Sequence, residues 1–216
     1  MYFSKWFDLI LRKTTPEQLV ASRPEVGEAF KQYLVALVIV TILGFITQYL
    51  VVGAAALEGT PIIGLVLGLI LGLVGAYIVA WLFHVVTKLV GGTGDKNTTI
   101  ASIISLEAAY MGTIGVLGAI ILLLVAFVPS LVSVVGIWGI VQFLAGLYFL
   151  YLFLSVLKAA HSVDMVKAII ALILTIIVFV VLVIIVAIVI GIIFGAAILA
   201  LLGLSGLPAM PVAPVA

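Results

Sequence analysis

The chain has 216 residues, of which 67 % are hydrophobic and only 8 % charged, and its formal net charge is +1. A water-soluble domain carries about 25 % charged residues, so this chain lacks the polar shell that a solvent-facing surface needs. Near-neutral charge gives nucleic acid no electrostatic hold, and the absence of cysteine excludes disulfides, thiolate nucleophiles and thiolate-bound metals.

The first residues, MYFSKWFDLILRK, lack the continuous apolar core and small-residue cleavage site of a signal peptide, so the first span is expected to act as the insertion signal. Wound as a helix, Tyr2, Phe3, Trp6, Phe7, Leu9, Ile10 and Leu11 fill one broad arc, and Ser4, Lys5, Asp8 and Arg12 the other. This is an amphipathic helix expected to lie in the membrane interface. In the connector that follows, Thr15-Pro16 can open a short helix with proline at its first position. Ser22 and Glu25 have the spacing of a capping box for a second one.

Five apolar runs then follow, each longer than the ~20 residues needed to cross a hydrocarbon core of about 30 Å. The first is expected over about 33–57, stopping at Glu58-Gly59, with Thr60-Pro61 restarting the chain as a hairpin. The second covers 62–90 and the third about 98–128, with Pro129-Ser130 turning into a fourth that ends at Lys158. The last, 168 to about 204, exceeds one crossing and is read as one span with an extension rather than two halves separated at Gly191 and Gly195. The predicted fold class is therefore all-α, a polytopic membrane bundle of five transmembrane helices. Residues 1–31 form its N-terminal amphipathic segment, 32–204 the membrane domain and 205–216 a proline-rich tail.

All nine basic residues fall on one side of this arrangement: Lys5, Arg12, Lys13, Arg23 and Lys31 before the first span, Lys88 and Lys96 around the second loop, Lys158 and Lys167 after the fourth span. The positive-inside rule then predicts a cytoplasmic N-terminus and a C-terminus outside.

The loop GGTGDKNTT, Gly91 to Thr99, has the composition of a phosphate cradle but not its spacing: Asp95 follows Gly94, the lysine comes one residue late, and Asn97 stands where a hydroxyl is required. Gly91-Gly92 read instead as a helix terminator, with Asn97 or Thr98 capping the next helix. Asn97-Thr98-Thr99 is also a glycosylation sequon, expected to stay unmodified on the cytoplasmic side.

Small residues recur at helical spacing. Gly64, Gly68, Gly72 and Gly75 line one face of span two, and Ala108, Gly112, Gly115 and Ala119 form a strip on span three. Gly191 and Gly195 repeat the pattern in span five. Such glycine-zipper strips let helices approach closely in lipid, here for packing within the chain, with Gly191 and Gly195 available for homo-oligomer formation.

Glu107 is the costliest residue to place in a span. His84 and Lys88, one turn apart on span two, are its expected partners, and with Tyr110, Lys158, His161 and Asp164 they form a candidate polar cluster or partner surface on the cytoplasmic side. The chain offers no nucleophile arrangement, carboxylate pair or zincin motif, so neither catalysis nor a metal or other cofactor is expected.

His84, Lys88, Leu89, Gly91 and Gly92, followed by a short polar loop and Tyr110, resemble the corresponding stretch of the Yip-one family, the Ypt/Rab GTPase-interacting five-span membrane proteins and their prokaryotic relatives. The prokaryotic branch is similar also at Pro16-Glu17, Arg23-Pro24-Glu25 and the link Leu157-Lys158-Ala159-Ala160-His161, so the resemblance covers roughly 16–190. The acidic Asp-Leu-Tyr-Gly-Pro motif of eukaryotic members has no counterpart, and their Gly-Tyr pair is Ala109-Tyr110 here. The resemblance implies a non-catalytic scaffold or adaptor in membrane organisation or trafficking, embedded in the lipid bilayer and binding an unidentified cytoplasmic protein. The alternative is a small transporter or channel using Glu107 with Lys88 and His84. The few scattered polar residues within the spans, Thr41, Thr47, Gln48, Gln142 and Thr175, count against it.

Overall fold

A computed structural model describes residues 2–52 and 61–201, with side-chain surroundings for 4–51 and 64–191. The expected turn at Glu58-Gly59, the cap at Thr60, the surroundings of Gly195 and the tail 205–216 lie outside the described residues.

The described chain is helical throughout. α1 is Tyr2–Ile10, α2 Pro16–Ala21, α3 Val26–Val52 and α4 Pro61–Leu89. α5 is Lys96–Tyr110, continued by a π-helical turn Met111–Gly115 into α6, Val116–Phe127. A single 3₁₀ turn, Pro129–Leu131, leads to α7, Val132–His161, and α8 is Met165–Leu201. Five of the resulting helical runs are long and apolar enough to cross a membrane: Val26–Val51, Gly64–Leu89, Lys96–Phe127, Pro129–His161 and Met165–Gly191. The protein is an integral membrane protein with an all-α bundle.

The short helices follow the local sequence. Thr15 accepts a hydrogen bond from the Gln18 amide while the Gln18 side chain accepts from the Thr15 amide, a complete capping box with Pro16 at the first position. The second expected box does not form. Ser22 ends α2 instead, its hydroxyl donating to the Leu19 carbonyl at 2.6 Å. A helix capped by Ser22 would need Arg23 in the right-handed region, which Pro24 disfavours for the residue before it. Arg23 adopts φ 45°, and α3 begins only at Val26.

Contacts divide the chain into two units, 1–175 and 176–216. In the first, the buried core sits at one end of the long helices, around Ala80, Phe83 and Val86 of α4, Ile100, Ile103 and Ile104 of α5, and Leu152, Val156 and Leu157 of α7. α5 is the hub, with ten buried residues and contacts to α1, α3, α4 and α7. In the second unit every residue from Ile176 to Gly191 is exposed and almost all are apolar, a surface suited only to lipid or to another apolar surface. α8 runs unbroken past Gly191 and Gly195, about 55 Å long at 1.5 Å per residue.

α1 departs from a purely interfacial helix. Its apolar arc is split between two environments: Trp6 and Leu9 are buried against the bundle, while Phe7 and Leu11 face outward. The Trp6 ring lies on Gly112, the Tyr148 hydroxyl donates to the Ile10 carbonyl at 3.0 Å, and the Arg12 guanidinium sits 5.6 Å from the centre of the Tyr151 ring. Gly112 is about 24 Å along the helix axis from the start of α5, and Tyr148 about 20 Å from the end of α7. The buried core thus extends well beyond the level at which α1 docks.

The glycine strips are used unevenly. Gly112, Gly115 and Gly118 meet Trp6, Val40 and Trp138 respectively, so the strip of span three is a packing surface. On α4 only Gly72 meets a neighbour, Leu37 of α3. Gly64, Gly68 and Gly75 face open space, as does Gly191. Packing within the chain thus uses the strip of span three but only one glycine of the strip of span two, Gly72, where α3 touches α4.

Candidate functional site

The densest polar geometry lies where the loop after α4 meets the end of α7. α4 closes through Gly91, whose φ of 97° suits glycine, and the Gly92 amide donates to the Thr87 carbonyl at 2.9 Å. α7 closes through Ser162 in the left-handed region, φ 53°, leaving the His161 carbonyl free of its own helix. That carbonyl accepts from the Thr93 amide at 3.0 Å and from its hydroxyl at 3.4 Å.

The His161 side chain completes the joint and is fully buried. Its Nδ1 accepts from the Gly94 amide at 3.2 Å, and its Nε2 lies 3.1 Å from the Thr99 hydroxyl. Thr99 spends its own proton on the Asp95 carbonyl at 2.7 Å, so the Nε2–H must be the donor to Thr99. The network therefore holds a neutral imidazole with its proton on Nε2, clamped between two segments more than sixty residues apart. The buried His84 ring stands 5.1 Å away, and its Nδ1 has no hydrogen-bond partner among the described residues. Gly92 and Gly94 are there because nothing larger fits. A Cβ on Gly92 would lie 2.8 Å from His161 Nδ1, and one on Gly94 would overlap the Ala160 carbonyl oxygen.

α5 is capped by Asp95, not by Asn97 or Thr98. The Asp95 carboxylate accepts from the Thr98 amide at 2.9 Å. The aspartate wins because its side chain stands at the position from which an oxygen reaches the third helical amide. That hydrogen bond holds the carboxyl below its usual range. We expect Asp95→Ala to cost about 1 kcal/mol at neutral pH. A depressed carboxyl stabilises above its unfolded value and loses this as pH falls through the folded one, so the gap from wild type should close below about pH 4. Thermal unfolding of both proteins across pH 3–7 measures it, and a gap that does not narrow between pH 5 and pH 3 contradicts the cap as its source.

The loop is not a phosphate cradle. The amides of Gly92, Thr93, Gly94 and Thr98 are already bonded to Thr87, His161 and Asp95, so the nest of free amides that a cradle needs is not assembled.

The sequence-derived cluster separates into two parts. His84 and His161 meet, and Lys88 and Lys158 are exposed at the same end, as are Lys96 and Lys167. Asp164 is taken up in capping α8, accepting from the Lys167 amide at 2.8 Å. Glu107 and Tyr110 lie about 12 and 16 Å deeper along α5 than Thr99. Tyr110 packs against Phe149 at 4.6 Å between ring centres. The expected pairing of Glu107 with Lys88 or His84 does not occur, since eight residues of helix turn it about 80° away from the face that carries Thr99. Among the described residues the only ion pair is Lys13 with Asp8, at 3.6 Å.

No known relative was found. Neither a family model, nor a curated protein, nor a solved structure matches the chain.

Sequence reasoning missed Thr93, Gly94 and Thr99 as partners of His161. A third glycine, Gly94, beyond the two needed to end α4 was the one signal available, since a solvated loop has no need of it.

Proposed function

We propose that this chain is a five-span membrane scaffold of the Yip type, with its N-terminus in the cytoplasm and its C-terminus outside, acting by binding rather than by chemistry. The observation that carries this reading is the clamp on His161. It joins the loop after α4 to the end of α7 and fixes four exposed lysines, Lys88, Lys96, Lys158 and Lys167, at one end of the bundle. Against these four lysines stand two aspartates, Asp95 and Asp164, both serving as helix caps, so the surface carries a basic excess. A rigid basic platform suits an acidic segment of a cytoplasmic protein, and rigidity lowers the ordering cost of binding it. Of the two stretches that resemble the Yip-one family, Leu157 to His161 supplies the clamped residue and His84 to Gly92 ends beside it, with the His84 ring 5.1 Å from that of His161, which supports the family reading.

The transporter alternative would need Glu107, Lys88 and His84 to share a path, and Glu107 lies about 12 Å deeper along α5 than Thr99, which bonds to His161 beside His84. Two measurements test the proposal. The chain lacks cysteine, so single cysteines at Lys96, Glu58 and Ser205 can be labelled without background. Lys96 should react only from the cytoplasm and the other two only from outside; labelling of Ser205 from the cytoplasm overturns the orientation. For function, reversing Lys88, Lys96, Lys158 and Lys167 to glutamate should remove the proteins that co-purify in gentle detergent while leaving the unfolding temperature unchanged. Reconstituted protein that conducts ions, with conduction lost in Glu107→Gln, overturns the scaffold in favour of the transporter.

A further inference from the structure

A cavity of 420 Å³ opens between α1, α2 and the start of α3, on the polar side of α1. Its size is that of a small-molecule site. Two buried polar residues line it, Gln32 at 8 % exposure and Ser105 at 6 %. Neither side chain hydrogen-bonds to any described residue. Neither group is sealed off: the amide and the hydroxyl keep polar atoms open to the cavity, so whatever completes their hydrogen bonding sits there. What reaches them must come through the cavity, because that is where they keep contact with the outside.

The charges around the cavity say what it must carry. Glu25, Glu28 and Asp8 line it against a single cation, Lys5, and Asp8 is already paired with Lys13. Two free carboxylates beside an unpartnered amide and hydroxyl suit a ligand ammonium that donates several hydrogen bonds, and Lys5 suits an anionic oxygen on the same molecule. A quaternary ammonium has no N–H to give to Gln32 or Ser105 and would leave both unsatisfied. The place selects the source: α1 turns Phe7 and Leu11 outward, a surface suited to acyl chains, next to the polar face that borders the cavity. We propose that this cavity binds the headgroup of an aminophospholipid, its primary ammonium on Glu25, Glu28, Gln32 and Ser105 and its phosphate on Lys5.

The full-length protein, delipidated in detergent, would be titrated with phosphatidylethanolamine, with phosphatidylcholine and with soluble phosphoethanolamine, reading the unfolding temperature and the lipid retained in native mass spectrometry. Phosphatidylethanolamine should raise the unfolding temperature and be retained, and phosphatidylcholine should do neither. Glu28→Gln should weaken the ethanolamine lipid on the order of tenfold by removing a charge-assisted hydrogen bond. Gln32→Leu should abolish the difference between the two lipids. Should Gln32→Leu fail to fold, Glu25→Gln on the exposed rim should still reduce that difference. Equal stabilisation by both lipids, or a preference that survives Glu28→Gln and Glu25→Gln, overturns the proposal. Stabilisation by phosphoethanolamine and not by the lipid overturns the lipid as occupant.

Discussion

Gly94→Ala is expected to unfold the joint between the α4–α5 loop and α7, although it adds one methyl group. The added carbon would overlap the backbone oxygen of Ala160 and press on the His161 ring. A carbonyl inside a helix cannot rotate away as a side chain can, so the loop must move. It then loses the Gly94 bond to Nδ1 and the Thr93 bond to the His161 carbonyl, and leaves a buried imidazole nitrogen without a donor. Overpacking together with a buried unsatisfied group should cost about 3 kcal/mol or more. Gly91→Ala, where the cost is only positive φ, should lose about 1 kcal/mol. Lys96→Ala, exposed and unbonded through its side chain, should stay within about 0.5 kcal/mol of wild type. Chemical unfolding in mild detergent ranks the three, and equal stability of Gly94→Ala and Lys96→Ala contradicts the clamp.

The second large effect is expected where α1 docks. Gly112→Val should expel Trp6, whose six-membered ring occupies the space a side chain would need. Trp6 is 1 % exposed, and losing a buried tryptophan from its site costs about 3–5 kcal/mol. The displaced helix also gives up the bond from Tyr148 to the Ile10 carbonyl. Because one void serves both residues, the two sites must couple: Trp6→Ala in the Gly112→Val background should cost much less than Trp6→Ala alone. Additive losses in this double-mutant cycle would mean that the two residues do not share a space. Limited proteolysis supplies a second readout, since α1 released from the bundle should be cut faster at Lys5 and Arg12.

The gross architecture was legible because apolar length is a strong signal. Five runs beyond the crossing length and a one-sided distribution of lysine and arginine fix the number of spans with little else. What was not legible depends on which faces meet. The strip Gly64, Gly68, Gly72, Gly75 and the pair Gly112, Gly115 both lie at helical spacings of three or four, yet three of the first four face open space and both of the second pack. Small residues permit close approach without choosing a partner. His84 and Lys88 are the partners expected for Glu107 from charge alone, but eight residues of helix beyond Thr99 turn it to another face. The amphipathic pattern of α1 placed it at an interface, and no periodicity could show that Trp6 would turn inward while Phe7 turns out. Of the proposed site, His84 and His161 could be found from sequence; the backbone amides that hold His161 could not, because any residue but proline supplies one.

The uneven burial of α5 also bears on the order in which the molecule assembles. Its first half carries Thr99, Ser102 and Ser105, polar groups poorly suited to lipid, and their covering surface includes α7, which is synthesised some fifty residues later. During biogenesis this half-helix has to wait, covered only by α1, α2, α3 and α4, until α7 emerges and His161 can close on the loop. A nascent chain stopped before His161 should therefore display the 96–107 segment to proteases and chaperones, and lengthening it past Asp164 should abruptly conceal that segment.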